Sequence, residues 1–133
     1  FMINDFKKLI PKMKVAGVDI SEYAINNSMI SVKKYLSVSN AKSLPFDDNS
    51  FDYVISINTI HNLEKKSCGQ ALREIQRVSK FGAFITVDAF HNEDEKERMY
   101  KWNLTAKTIM SVNEWKNFFK ENHYSGSFFW FIP

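Results

Sequence analysis

Residues 71–88, ALREIQRVSKFGAFITVD, pass from one periodicity into another. Ala71, Leu72, Ile75 and Val78 recur at helical spacing, which predicts a helix with one buried stripe. Ala83 to Val87 is β-branched and aromatic, which predicts a strand. Between them, Lys80-Phe81-Gly82 is expected to end the helix, with Gly82 free to take a positive φ. A helix leading through a short turn into a buried strand is the repeating unit of a parallel α/β sheet.

Working outward, the same alternation recurs. Upstream, SLPFDDNSFDYVIS (43–56) sets an apolar knuckle, Leu44-Pro45-Phe46, ahead of an acidic turn. The turn opens a strand over Tyr53–Asn58. Phe46 and Phe51 are expected to be largely buried, and Asp47 to Asn49 exposed. Further upstream, Lys14–Ile20 reads as a strand ending at an acid. Ser21 caps a helix with Ala24, Ile25, Met29 and Val32 on its apolar side. Leu36–Ser39 is a second, weaker strand. Ile3, Phe6, Leu9 and Ile10 share a helical face that Pro11 stops. No N-cap precedes that helix, as in a chain that begins inside a domain.

Downstream, Asp94 to about Lys107 reads as a polar helix. Ser111-Val112-Asn113-Glu114 is a capping box. It opens a helix that turns Trp115, Phe118 and Phe119 inward. Ser127–Ile132 closes the chain as a strand. The expected fold is therefore α/β, a mostly parallel sheet with helices on both faces, in a single domain over residues 1–133.

The bulk numbers agree. At 133 residues the chain holds one real core. It is 44% hydrophobic and 25% charged, both globular values. Its net charge of +3 is spread along the chain without a basic arm. That argues against a nucleic-acid binder. One cysteine, Cys68, rules out internal disulfides and fits a reducing compartment, with the cytoplasm as the default. No apolar run approaches the ~20 residues that span a bilayer, so no membrane partner is expected.

In open α/β sheets ligands bind at the carboxyl ends of the strands. Those ends carry Asp19, Asn40, Asn58 and Asp88. Asp19 suits the two hydroxyls of a ribose, and equally suits the start of a helix as a solvated acid. Asn40 and Ala41 offer a carbonyl and an N–H to an adenine edge, or form an Asx turn. His61, just past the third strand, reads as a base, a substrate contact or a surface-loop histidine. Asp47, Asp48 and Asp52 read as turn formers. His91 and His123 are weaker candidates than His61. The histidines and Cys68 lack metal-ligand spacing, so no metal is expected.

In order, VAGVDIS (15–21), NAKSLPFDDNSFDYVIS (40–56), ALREIQRVSKFGAFITVD (71–88) and TAKTIMSVNEW (105–115) resemble class I methyltransferases that use S-adenosylmethionine (SAM). The resemblance is to the small-molecule type related to ubiquinone and menaquinone methylases, and it runs over essentially the whole chain. It implies a Rossmann-like fold, SAM as cofactor and a small-molecule methyl acceptor. It implies that Asp19 holds the ribose, Ile20 packs on the adenine, and Asn40 and Ala41 read its edge. Asn58 then lies under the methionine moiety, and Leu44-Pro45-Phe46 walls the adenine side. His61 is the catalytic candidate.

Two departures stand out. Asn40 replaces the family's usual Asp. The glycine-rich loop and first strand of the family are absent, because Gly17, Gly69, Gly82 and Gly126 make no G-x-G-x-G motif. The missing strand would lie between those ending at Asp19 and Asn58. The chain reads as N-terminally truncated, and a homo-oligomer is one way to fill the gap. The alternative function is a non-catalytic Rossmann-like remnant that self-associates or binds a partner. An NAD oxidoreductase would use Asp19 equally well, but the Leu-Pro-Phe and Ser-Phe-Asp block argues against it.

Overall fold

The computed structural model describes residues 2–132. The chain forms two compact units, Phe1–Ala41 and Lys42–Pro133. Among the described residues the strands divide into two sheets, one in each unit, and every pairing in both is parallel.

The first unit contains α1 (Met2–Leu9), β1 (Gly17–Asp19), α2 (Glu22–Asn26), α3 (Ile30–Lys33) and β2 (Leu36–Val38). β1 pairs with β2, placing Asp19 beside Val38. Ser21 caps α2 as expected, its Oγ accepting from the Ala24 N–H at 3.1 Å. The single helix expected after Ser21 is instead two short ones. Asn27 Nδ2 donates to Tyr23 O at 2.9 Å and Ser28 Oγ to Ile25 O at 2.7 Å. These side chains satisfy the last carbonyls of α2 and stop it, the usual competition of Asn and Ser with helix. On α1, Ile3 and Phe6 are half-buried, whereas Leu9 and Ile10 of the expected face are exposed.

The second unit contains β3 (Phe51–Ile57), a 3-10 turn (Ile60–Asn62), α4 (Lys65–Val78) and β4 (Ser79–Phe90). α5 (Glu93–Trp102), β5 (Met110–Ser111), α6 (Val112–Glu121) and β6 (Ser127–Phe131) follow. β4 is the spine of this sheet, pairing with β3, β5 and β6. It starts directly after α4, at Ser79, which pairs with Phe51. The turn expected at Lys80-Phe81-Gly82 is therefore absent. Gly82 lies in the strand opposite Tyr53, and no glycine among the described residues has a positive φ. Tertiary pairing with β3 overrides the local glycine signal.

The core lies under one face of this sheet. Ile60, Leu72, Ile85, Val87 and Trp115 are fully buried, with Phe119 close to it. The capping box at Ser111 and Glu114 forms as read from the sequence. Cys68 is buried in α4, and burial pushes its thiol pKa up to about 12, which keeps it unreactive.

The knuckle is held by an arginine. Arg77 Nη1 donates to Phe46 O and to Asp48 Oδ1, each at 2.8 Å, and Nη2 donates to Leu44 O at 3.2 Å. Glu74 accepts from Arg77 Nε and Nη2 at 2.7 Å and from the Leu44 N–H at 2.8 Å. The Arg77 bonds are the main reason that the Glu74 carboxyl sits below its usual pKa. Asn49 takes the left-handed φ of 55° that the acidic turn requires, and its N–H donates to Arg77 O. Asp47 to Asn49 are exposed as expected. Phe46 and Phe51 pack edge to face at 4.7 Å but are only half-buried, less than their spacing predicts.

Candidate functional site

In the first unit, the ends of β1 and β2 bring four of the expected residues to one edge. Asp19 ends β1, and its backbone O accepts from the Ser39 N–H at 2.9 Å, which fixes the two strand ends side by side. The Asp19 side chain is exposed, with Oδ1 accepting from the Ser21 N–H at 2.8 Å. The carboxylate is thus aimed by the turn that starts α2. Ile20 is exposed beside it, and Asn40 and Ala41 are half-buried just past β2. Two acceptor oxygens, an exposed apolar side chain and an Asn-Ala step are the chemistry a nucleoside needs.

In the second unit, Asn58 follows β3 with φ 48°, a left-handed conformation that Asn tolerates. Its N–H donates to Thr86 Oγ1 at 3.0 Å, and its Oδ1 accepts from the Thr86 hydroxyl at 2.7 Å. The strand end therefore turns sharply into the 3-10 turn that carries His61.

His61 is not on the surface. It is 3% exposed and lies against Asp88, which is 1% exposed. Its Nδ1 accepts from the Asp88 backbone N–H at 3.1 Å. A backbone N–H can only donate, so Nδ1 is bare and the ring proton of neutral His61 sits on Nε2. Nε2 faces Asp88 Oδ2 at 3.6 Å, an electrostatic contact longer than a hydrogen bond. Burial pulls the His61 pKa below its ordinary value, against the upward pull of the Asp88 carboxylate.

Asp88 is the centre of this cluster. Its Oδ2 accepts from Asn103 Nδ2, and its backbone O accepts from Trp115 Nε1 at 2.9 Å. Asn103 also ends α5. Its Oδ1 accepts from the N–H groups of Thr105 and Ala106 at 2.9 and 2.7 Å, an Asx turn that stops the helix short of the expected Lys107. A cavity of about 350 Å³ opens here, lined by Asn58, His61, Asn62, Asp88 and the 102–105 segment. Two buried oxygens in its wall residues have no partner, Asp88 Oδ1 and Asn62 Oδ1. Each such group costs ~1–3 kcal/mol, more when charged.

Sequence reasoning placed Asp88 at a strand end, and the resemblance implies a substrate lid over Asn92–Met110 that includes Trp102, but neither singled out Asn62 or Asn103. Their only signal was proximity to His61 and to the end of a helix. Arg77 and Glu74 stand in the 71–88 stretch that carries the resemblance, but sequence reasoning gave them no role in holding the 44–48 knuckle.

Parallel strands joined through helices, with polar residues at their carboxyl ends, define a Rossmann-like fold. Within it the chain matches the family described as methyltransferase domain over residues 2–87, and it belongs to that family. It is 37% identical over 93 residues to a demethylmenaquinone methyltransferase of Symbiobacterium thermophilum, covering 64% of this chain and 36% of that protein. It is 31% identical over 98 residues to 24-methylenesterol C-methyltransferase 2 of Arabidopsis thaliana, covering 64% of this chain and 27% of that protein. The fold also matches a chain of the solved complex containing the Haloferax volcanii Trm112 methyltransferase activator. The TM-score is 0.68 at 21% identity, over 90% of this chain and 54% of that one. The chain spans less than half the length of both sequence relatives. No described helix is long and apolar enough to cross a membrane.

Proposed function

We propose that the chain serves SAM-dependent methyl transfer to a small molecule in the cytoplasm. In this reading the first unit supplies adenosine recognition. Asp19 accepts from the ribose hydroxyls, Ile20 packs on the adenine, and Asn40 and Ala41 meet its edge. The second unit supplies Asn58 for the methionine moiety and the Asp88 cavity for the methyl acceptor. The single observation that carries the reading is Asp19, a carboxylate at the carboxyl end of β1 held in place by the Ser21 N–H.

The chemistry asks little of the side chains. The acceptor's lone pair attacks the methyl carbon in line, the carbon–sulfur pair returns to sulfur, and the acceptor gives up a proton. Proximity and orientation supply most of the rate. His61 then acts as a positioning residue, since both ring nitrogens are turned to Asp88. The test is calorimetric titration of SAM into the chain and into Asp19→Ala.

A second reading has its own support. One face of the second unit's sheet is apolar and exposed, with Tyr53 at 70% and Phe129 at 62%. Such a face marks an interaction surface. A non-catalytic module covered by a second copy would bury it. Light scattering that shows a dimer, together with no SAM binding, would favour that reading.

A further inference from the structure

One wall of the Asp88 cavity is held differently from the rest. His61 and Asp88 are buried, whereas the 102–105 segment that also lines the cavity lies in a stretch with no core of its own. The stretch runs between two fixed points. Met99 on α5 is fully buried. Thr108 is buried too, and its hydroxyl donates to Leu63 O at 2.7 Å. The N–H groups of Lys107 and Thr108 both donate to His61 O at 3.0 Å. Between these points no residue from Tyr100 to Lys107 is buried, and Leu104 is 93% exposed. Apolar burial therefore contributes little to holding the segment.

Its polar contacts differ in strength. Lys107 Nζ meets a Glu64 carboxylate oxygen at 3.7 Å, an exposed ion pair of the kind that holds little. Trp102 stacks on Phe131 at 5.0 Å, with both rings partly exposed. Asn103 Nδ2 donates to Asp88 Oδ2, a bond to a buried carboxylate and of the stronger, charge-assisted class. Both partners are fixed. Asn103 Oδ1 accepts from the Thr105 and Ala106 N–H groups, which leaves Nδ2 to face Asp88. Asp88 is held in turn by its backbone bonds to His61 and Trp115.

We propose that Asn103 is a positioning residue: its bond to Asp88 latches residues 102–106 as the movable wall of the cavity, and the cavity opens when that bond breaks. The lid that the resemblance implies is broader, over residues 92–110. The latch confines the moving part to the stretch between Met99 and Thr108. It rests on the geometry of the cavity and not on the methyl-transfer reading.

The test is relaxation-dispersion NMR on the full chain without SAM, which reads openings on the microsecond-to-millisecond scale. Asn103→Asp keeps the acceptor that closes the Asx turn but sets a second carboxylate against Asp88. At pH 8 the two repel, and the open population of residues 102–106 should exceed the parent's by about tenfold or more. As pH is lowered toward 5.5, one proton shared between the carboxylates restores the bond, and the open population should fall back toward the parent's. His61 Nε2 faces the same Asp88 oxygen at 3.6 Å in both chains, so the parent at each pH is the control for its protonation. Should Asn103→Asp not fold, Asn103→Ser decides. Its hydroxyl still accepts within the turn but ends one bond short of Asp88, so the opening should appear at every pH. Trp102→Ala should open the wall less than either variant. No added opening in the folded variants, or opening that spreads equally over α4 and β4, would overturn the proposal. So would a pH-independent opening in Asn103→Asp, or an equal opening in Trp102→Ala. A separate SAM titration bears on the proposed function alone, because the latch is read without SAM.

Discussion

The two units differ in how they are held together. In residues 2–41 only Val32 is buried, the strands are three residues long, and two of the helices have five and four residues. The second unit has a 14-residue helix, a 12-residue strand and a core of buried aliphatic and aromatic side chains. A small unit buries too little apolar surface to offset its chain entropy, so local order there rests on caps and turns. In the first unit those devices sit at the two ends of α2, and the one at Ser21 also holds the Asp19 carboxylate. The proposed nucleoside residues therefore stand on the weaker scaffold, and the acceptor cavity on the stronger one.

The largest effect should come from cutting the strong unit at its centre. Trp115→Ala removes a fully buried ring and the Nε1–H bond to Asp88. It should cost ~3–5 kcal/mol in denaturant unfolding. Val32→Ala removes two methyl groups from the first unit and should cost only ~1.5 kcal/mol. Equal costs would break the contrast. Native-state hydrogen exchange sharpens it further, because the amides of β4 should be protected far more than those of β1 and β2.

Much of the strong unit is legible in the sequence, because its period-3.6 stripe on α4 and its β-branched run on β4 are long enough to speak for themselves. What local reading gets wrong there is decided by pairing at a distance. Gly82 looks like a helix stop, yet it lies in the strand because β3 pairs along it. In the weak unit, Asn27 and Ser28 split a helix through side-chain bonds to its own carbonyls, which periodicity does not register. At the site, Asp19 is visible because a strand end and a cap flank it. The Asp88 cluster is not, since Asn103 and Asn62 reach it only through the fold. His61 reads as a loop residue for the same reason.

A smaller effect tests that cluster. The folded His61 pKa lies below the unfolded value of ~6.5, so between the two the unfolded chain binds the extra proton. His61 therefore takes stability away as pH falls below ~6.5, and its contribution levels off beneath the folded pKa. The denaturation midpoint should drop between pH 7.5 and 5.5, and His61→Gln should flatten that part of the drop. An identical pH slope in the variant would remove the buried-neutral assignment.

The smallest effect on global stability should come from Arg77→Ala, which frees the 44–48 knuckle while leaving the core intact. Faster amide exchange at Leu44 and Asn49 with little change in melting is the expected result. A knuckle that stays protected would show that apolar packing of Phe46 on Phe51 holds it instead.

The central claim is that Asp19, on the sparse first unit, binds the ribose of SAM, and calorimetry with SAM tests it most directly. The parent chain should bind, and Asp19→Ala should bind ~10–100-fold more weakly, as expected for loss of a charged hydrogen bond worth ~1.5–3 kcal/mol. The melting temperature should fall only slightly, because the Asp19 side chain is exposed and gives up its bond from the Ser21 N–H. Equal affinity in the two chains, or no binding by the parent, would contradict the account.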